Sequence, residues 1–358
     1  GLAHACEHMA FNGTKNFKKN DIVSFLQSIG VQFGADLNAY TGFDETVYIL
    51  PIPTDKPDNI EKGFQIVEDW AHQVSYIDED IENEKAIILE ESRSGKGAQD
   101  RMFRKIYPKI FANSKYANRL PIGIDSIIRN FKPDAIRRFY KDWYRPNLMA
   151  ILVVGDIDPV KAEEMIKKHF TGLINPPNER PRDFIKVSPY TKSEAVIVTD
   201  KEAAQNIMFL QNTPRPSQAS VTVGDYKKDI LRNIFLTLTN QRLQELTQKE
   251  NPPFIYAGVE FGEFVRGYES FSATIANGTN DPKKSLTATI EEIERVKRFG
   301  FSQSELERAK KSIMANIENA FQERDKTESS NYIEEYIRNF LKQEPIPGIA
   351  KELDYNQF

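Results

Sequence analysis

Cysteine is almost absent. Cys6 is the only one among 358 residues, so no disulfide can form within the chain and cross-links carry no information on compartment. Histidine is nearly as scarce, with four in all, at positions 4, 8, 72 and 169. Long apolar runs are missing too. No stretch approaches the ~20 residues a membrane-spanning helix needs. Charge of one sign is concentrated nowhere: 48 basic and 52 acidic residues are interspersed and leave a net charge of −4. That pattern lacks the basic stripe of a nucleic-acid binder. There is also no initiator methionine. The chain opens Gly1-Leu2-Ala3-His4, runs straight into a helical pattern and shows no segment of signal-peptide type. It reads as a piece of a longer protein, so silence about targeting says nothing about location.

What is present is ordinary for a folded domain pair, with 40% apolar and 28% charged residues. Hydrophobic spacing predicts helices over 2–11, 20–29 (Asn20 as N-cap), about 58–75 and about 79–95. Residues 45–50 have strand character, and Ala150–Val154 is an apolar run of the buried-strand type. A helix follows from Pro159 to about 170. The stretch from Asn175 to Arg182 is dense in proline and polar residues and reads as an interdomain linker. Beyond it come strands at 194–199 and 206–211, a helix at 225–249, strands over 255–277 and a helix at 282–299.

The second half echoes the first. Ile81-Glu82-Asn83-Glu84-Lys85 resembles Leu306-Glu307-Arg308-Ala309-Lys310 at an offset of 225, each opening a long helix. That offset puts Ala309 where Glu84 stands and Asn316 where Glu91 stands, and no His-x-x-Glu-His accompanies the second copy. The expectation is a duplicated scaffold with chemistry in one copy only.

That chemistry centres on His4-Ala5-Cys6-Glu7-His8. On a helix, His4 and His8 share one face with Cβ atoms about 5–6 Å apart. Two imidazoles so placed can close on one zinc at ~2.0–2.1 Å each. Glu7 flanks the same face, where a carboxylate can take a proton from water and pass it to a leaving amine. Two surface histidines beside a glutamate is the ordinary alternative, but half of the chain's histidines sharing one face argues against it. A third ligand is sought among Glu82, Glu84, Glu90 and Glu91. Glu84 and Glu91, seven apart, share a helical face. A solvated acidic face suits Glu82 and Glu90, and spacing alone does not choose between the pairs. Cys6 reads as a small core residue. His72 lies on an amphipathic helix and His169 at a helix end that suits a cation, and neither is expected to bind metal.

His-x-x-Glu-His is the inverted zinc motif of the inverzincins. With Gly1-Leu2-Ala3 before it and Met9-Ala10-Phe11-Asn12-Gly13-Thr14 after it, the sequence resembles the insulinase/pitrilysin/mitochondrial processing peptidase family, and most nearly its long bacterial zinc peptidases. The likeness continues through Leu37-Asn38-Ala39-Tyr40-Thr41, Trp143-Tyr144-Arg145-Pro146-Asn147-Leu148-Met149 and Val153-Val154-Gly155-Asp156-Ile157. It implies that His4, His8 and Glu91 (83 residues after His8) hold one Zn2+, with Glu7 as base and Glu84 supporting the site. It also implies that Asn38 and Ala39 pair with the substrate backbone. The implied fold is α+β, with two related α/β-sandwich domains, each a mainly antiparallel sheet packed with helices. These would be a catalytic domain at 1–175, a linker at 176–192 and a non-catalytic homologous domain at 193–358, together half of a clamshell.

The resemblance further implies strands before the zinc helix that this sequence lacks, and a second domain that continues beyond it. The function implied is a zinc metalloendopeptidase acting on unstructured peptides. Its partners would be peptide substrates and the second half of the same chain or a homologous subunit, with the bacterial periplasm favoured. This piece alone would lack part of the machinery. The rival from the same family is a non-catalytic peptide-binding or structural subunit, against which an intact Glu7 argues.

Overall fold

An eight-residue helix is too short to hold itself together in water. In the computed structural model, Leu2–Met9 (α1) is held by what it packs against. Ala5, Cys6 and Met9 form one buried cluster with Tyr76, Ile81, Ile88, Ile128 and Ile136. Burying each of the larger side chains is worth roughly 1.5–3 kcal/mol. The structure describes residues 1–32, 38–112 and 114–357. The chain divides into two compact units, Gly1–Lys186 and the remainder from Val187 onward.

In the first unit α1 is followed by α2 (Asp21–Ser28), then by strands β1 (Asn38–Thr41) and β2 (Thr46–Ile49). The strands form an antiparallel hairpin in which Asn38 faces Ile49 and Thr41 faces Thr46. Helices α3 (Pro57–His72), α4 (Asp78–Ser94), α5 (Ala98–Ile110), α6 (Asp125–Asn130), α7 (Pro133–Trp143) and α8 (Pro159–Phe170) complete the unit. A second cluster of Ala10, Ile22, Leu26, Ile66 and Trp70 joins α2 to α3. Trp70 Nε1 donates to the Ala10 carbonyl at 2.9 Å, which fixes the chain as it leaves α1. On α4 the buried positions are Ile81, Glu84, Lys85, Ile88 and Ser92, a single stripe at helical spacing. Asp78, Glu79 and Asp80 in its first turn suit the positive end of the helix dipole.

The second unit contains β3 (Ile207–Gln211), β4 (Arg215–Pro216), α9 (Val223–Thr247), β5 (Tyr256–Val265), β6 (Tyr268–Ala276), α10 (Pro282–Phe299), α11 (Gln303–Gln322), α12 (Ser329–Lys342) and α13 (Ile349–Asn356). β6 is the central strand, antiparallel to β3, β4 and β5. Leu243, Phe254, Ala257, Val259, Ala273 and Ile275 form the core between α9 and the sheet. The fold is therefore α+β with small antiparallel sheets and many helices, the class expected from the sequence. The 225-residue offset reappears in the elements themselves. α3 starts at Pro57 and α10 at Pro282, α4 at Asp78 and α11 at Gln303.

Several expectations need correction. Ala150–Val154 and 194–199 are not strands in the structure. A strand needs a neighbour's backbone as well as apolar residues, and among the described residues none aligns with either run. Val153 is 38% exposed and Ile197 90% exposed. Asn20 does precede α2 but makes no side-chain cap bond, because it adopts a left-handed conformation (φ 70°). The start of the expected linker is tied to the first unit. Arg145 donates to the Arg180 carbonyl at 2.9 Å, and Asn147 Nδ2 to Glu179 at 2.8 Å.

Asp69 is fully buried, without an ion-pair partner among the described residues. It accepts from Thr14 Oγ1 (2.5 Å), the Asn16 amide (3.1 Å), Asn16 Nδ2 (2.7 Å) and Gln65 Nε2 (3.0 Å). Asp69→Ala leaves these donors unsatisfied and is expected to destabilise the first unit by on the order of 3 kcal/mol. Denaturant unfolding checks this, and an unchanged midpoint would show the network to be dispensable.

Candidate metal centre

α1 and α4 pack together, and their facing side chains build the site. His4 Nε2 lies 3.3 Å from His8 Nε2, and the two rings meet edge-on with centroids 4.6 Å apart. Glu91 Oε2 lies 3.7 Å from His4 Nε2 and 3.4 Å from His8 Nε2. Among the described residues this is the one group of three or more His, Cys, Asp or Glu side chains close enough to share an ion. Zinc with ligands at ~2.0–2.1 Å in tetrahedral geometry sets its donor atoms about 3.3–3.4 Å apart. The observed triangle fits, and two nitrogens with one carboxylate leave the open fourth position of a catalytic zinc.

Glu84 faces inward, on the buried stripe between Ile81 and Ile88. His8 Nδ1 donates to Glu84 Oε1 at 2.7 Å, which places the His8 proton on Nδ1 and leaves Nε2 a lone pair toward His4 and Glu91. Asn12 Nδ2 donates to the other oxygen, Glu84 Oε2, at 2.6 Å. Burial pushes the Glu84 carboxyl upward, but the bonds from His8 and Asn12 outweigh it and hold the pKa below its ordinary value. Glu7 is buried beside this group, and Thr41 Oγ1 donates to its Oε2 at 2.5 Å. Burial raises the Glu7 pKa, and the Thr41 bond opposes part of that rise.

Of the residues singled out from sequence, His4, His8, Glu91, Glu84 and Glu7 come together here. Glu90 points away and pairs with Arg93, and Glu82 with Lys85. Asn38 and Ala39 lie on β1, whose Thr41 reaches Glu7. Among the described residues β1 pairs only with β2, and the Ala39 amide donates to Asn38 Oδ1 at 2.9 Å. Leu37, the first residue of that motif, lies outside the described residues. Asn12 and Thr41 were missed as supporting groups. Asn12 stood four residues after His8, a usable helical signal. Thr41 gave no local signal, since its contact spans 34 residues. Cys6 is buried under α1 as expected. His169 lies in the last turn of α8 and outside the metal group, as expected, and is buried where α8 meets α3, with Nδ1 2.7 Å from Glu68 and its ring stacked on Phe64. His72 also contacts Glu68, at 3.5 Å.

Two family models match the chain. Insulinase (peptidase family M16) matches residues 1–121, and the peptidase M16 inactive domain matches residues 130–313. The chain belongs to the insulinase family of peptidases, M16. It is 31% identical over 353 residues to a zinc protease PQQL-like protein of Arabidopsis thaliana, covering 98% of this chain and 34% of that protein. It is 32% identical over 329 residues to the probable zinc protease PqqL of Escherichia coli, covering 89% and 34%. The first half of the periplasmic protease PqqL from Escherichia coli superposes with a TM-score of 0.90 at 26% identity, over 100% of this chain and 76% of that one. The chain thus spans about a third of the length of the curated relatives it matches. At family level the relatives are zinc peptidases. No helix among the described residues is long and apolar enough to cross a membrane.

The site's electrostatics can be checked without metal. His4 is lowered from 6.5 to about 4, chiefly because burial disfavours its charged form, with His8 adding repulsion. Burial also pulls His8 down, but the hydrogen bond and charge of Glu84, with Glu91 and Glu7, outweigh it and raise its pKa above 6.5. The neutral His4 contributes stability present above pH 6.5 that is lost as pH falls from there toward 4. His8 contributes stability present below 6.5 that is lost as pH rises through its elevated folded value. Proton NMR titration of the metal-free chain should find the two imidazoles on opposite sides of 6.5. A common midpoint would overturn the assignment.

Proposed function

We propose that the chain carries the catalytic site of a zinc-dependent metalloendopeptidase that hydrolyses unstructured peptides. The triangle of His4 Nε2, His8 Nε2 and Glu91 Oε2 beside the buried Glu7 carboxylate carries this reading. His4, His8 and Glu91 would hold the ion. When bound, zinc supplies Lewis acidity that polarises a water and the scissile carbonyl. Glu7 takes the proton from that water and returns it to the leaving amine. Thr41 holds one oxygen of Glu7, so the other is free to face the reaction. Its burial-raised pKa suits a group that must both accept and release a proton. Glu84 acts through His8, holding the ring's proton on the side away from the ion.

The peptide would lie along the edge of β1 that pairs with no strand among the described residues, replacing the Asn38 side chain as the partner of the Ala39 amide. That recognition asks little of side chains and demands an extended backbone. In this reading residues 1–175 are the catalytic domain, 176–192 a linker and 193–358 a homologous domain without metal chemistry. A further half of the same protein or a homologous subunit would complete the chamber. The periplasmic setting of the Escherichia coli relative supports the same setting for this protein.

The roles separate under substitution in the full-length protein. Glu7→Gln should keep its zinc and lose roughly 10²–10⁴-fold in turnover. Glu91→Gln should lose zinc itself, and Glu84→Gln should weaken metal affinity by about 10–100-fold. Loss of metal in Glu7→Gln with retention in Glu91→Gln would reverse the assignments.

Substrate form gives an independent check. Unstructured fluorogenic peptides should be cleaved at loosely defined positions, and a chelator should abolish the cleavage. Chelator-insensitive or absent cleavage favours the peptide-binding subunit, and efficient cutting of a stably folded protein at one site contradicts the β1-edge mode.

A further inference from the structure

The second unit lacks the polar bridge that the first has in its Asn12–Glu84 bond. At the 225-residue offset, Thr237 stands for Asn12 and Ala309 for Glu84. In the first unit the carboxamide and carboxylate bridge their elements at 2.6 Å. In the second, α9 and α11 are packed together, and Thr237 and the buried Ala309 have no such pair of groups to bridge them. Thr237 and Ala309 line a cavity of about 660 Å³ that also touches the start of β5. Arg308, Gln241, Gln244 and Tyr256 contribute to its wall.

The chemistry of that wall has one sign. No carboxylate lines it. Arg308 makes no ion pair among the described residues. Its neighbours do: Arg242 holds Glu305 at 2.6 Å, Arg295 lies 3.6 Å from Glu292, and Arg298 lies 3.6 Å from Glu294. Arginines that stabilise this unit are thus satisfied within it, and Arg308 is left facing a cavity. We propose that this cavity binds the carboxylate end of a short peptide.

The guanidinium matches a carboxylate through two parallel N–H···O bonds. Gln241 offers a donor and an acceptor, as a peptide backbone requires, and Gln244, whose Nε2 donates to Thr247 Oγ1 at 3.3 Å, adds its carbonyl oxygen as an acceptor. The Tyr256 ring gives an apolar surface for a side chain. The volume lies in the ~300–1,000 Å³ range of ligand sites and far exceeds what a lone inorganic anion fills. None of this depends on the zinc chemistry proposed for the first unit.

Calorimetric titration of this chain with trialanine, and with trialanine amidated at its C-terminus, tests the site. Chelator present throughout and a Glu7→Gln background keep the metal centre out of the measurement. The free acid should bind at least about tenfold more tightly than the amide, since the amide lacks the charge-assisted pair. Arg308→Gln and Gln241→Glu should each weaken the free acid by about tenfold or more, the first by removing the cation and the second by adding a like charge. Both positions are exposed, so an unchanged melting temperature should accompany the loss. Equal binding of acid and amide, or undiminished binding by Arg308→Gln, overturns the proposal. So does displacement of trialanine by an equal concentration of inorganic phosphate, which reduces the site to a general oxyanion patch.

Discussion

A buried carboxylate must be given donors, and Glu84 receives them from His8 and Asn12. That requirement organises the first unit. It ties α1 to α4 across 76 residues of sequence, at a point where the two helices otherwise meet through Cys6, Met9, Ile81 and Ile88. The apolar contacts bring the helices together without fixing their rotation or register finely. The His8–Glu84 bond does fix them, because an imidazole Nδ1–H and a carboxylate oxygen must meet at 2.7 Å. Once that ring is set, Nε2 can point only toward His4 and Glu91. The arrangement of the candidate ligands follows from a hydrogen bond one layer behind it.

The same economy holds for the base. Glu7 is buried, and its charged form would be costly without a partner. Thr41 supplies one from the β1–β2 hairpin, so the strand proposed to pair with substrate and the carboxylate proposed as base are held by one short bond. Asp69 repeats the device below the site, where Thr14, Asn16 and Gln65 fill its acceptors and pin the loop that leaves α1. Three carboxylates in three layers are thus each satisfied by neutral or weakly basic donors rather than by lysine or arginine. An ammonium near the centre would compete with the ion for the ligands. Neutral donors hold them without competing.

Much of this was legible in the sequence, for reasons that differ by residue. His4 and His8 lie four residues apart on one helix, so helical periodicity alone places their rings together. Glu84 and Glu91 share a face for the same reason, but choosing them over Glu82 and Glu90 took a family resemblance. What spacing does not carry is which face of α4 turns toward α1. Thr41 was illegible because its partner is distant in sequence and its own strand is short. The runs at 150–154 and 194–199 misled because apolar composition indicates a strand but cannot say whether a partner backbone lies alongside. His169 was legible as a helix-end residue, but its Lys-Lys-His-Phe context could not name the partners that bury it, Glu68 and Phe64 on α3.

The duplication separates what the scaffold needs from what the chemistry needs. Asp80, near the start of α4, pairs with Lys19 at 2.7 Å. Its counterpart at the 225-residue offset is Glu305, near the start of α11, which takes two bonds from Arg242 at 2.6 and 2.9 Å. Both units therefore anchor the opening turn of this helix to a basic residue on a facing element. Glu305 also closes a capping box with Ser302, a local support that α4 lacks. The polar tie further along the helix is not shared: Glu84 has become Ala309, 3% exposed and in no need of donors. An alanine there suits helix propensity better than a buried glutamate and carries no desolvation cost. On stability alone that exchange is favourable, so Glu84 and its two donors carry a cost that the fold does not require and that the metal site proposed for the first unit would explain.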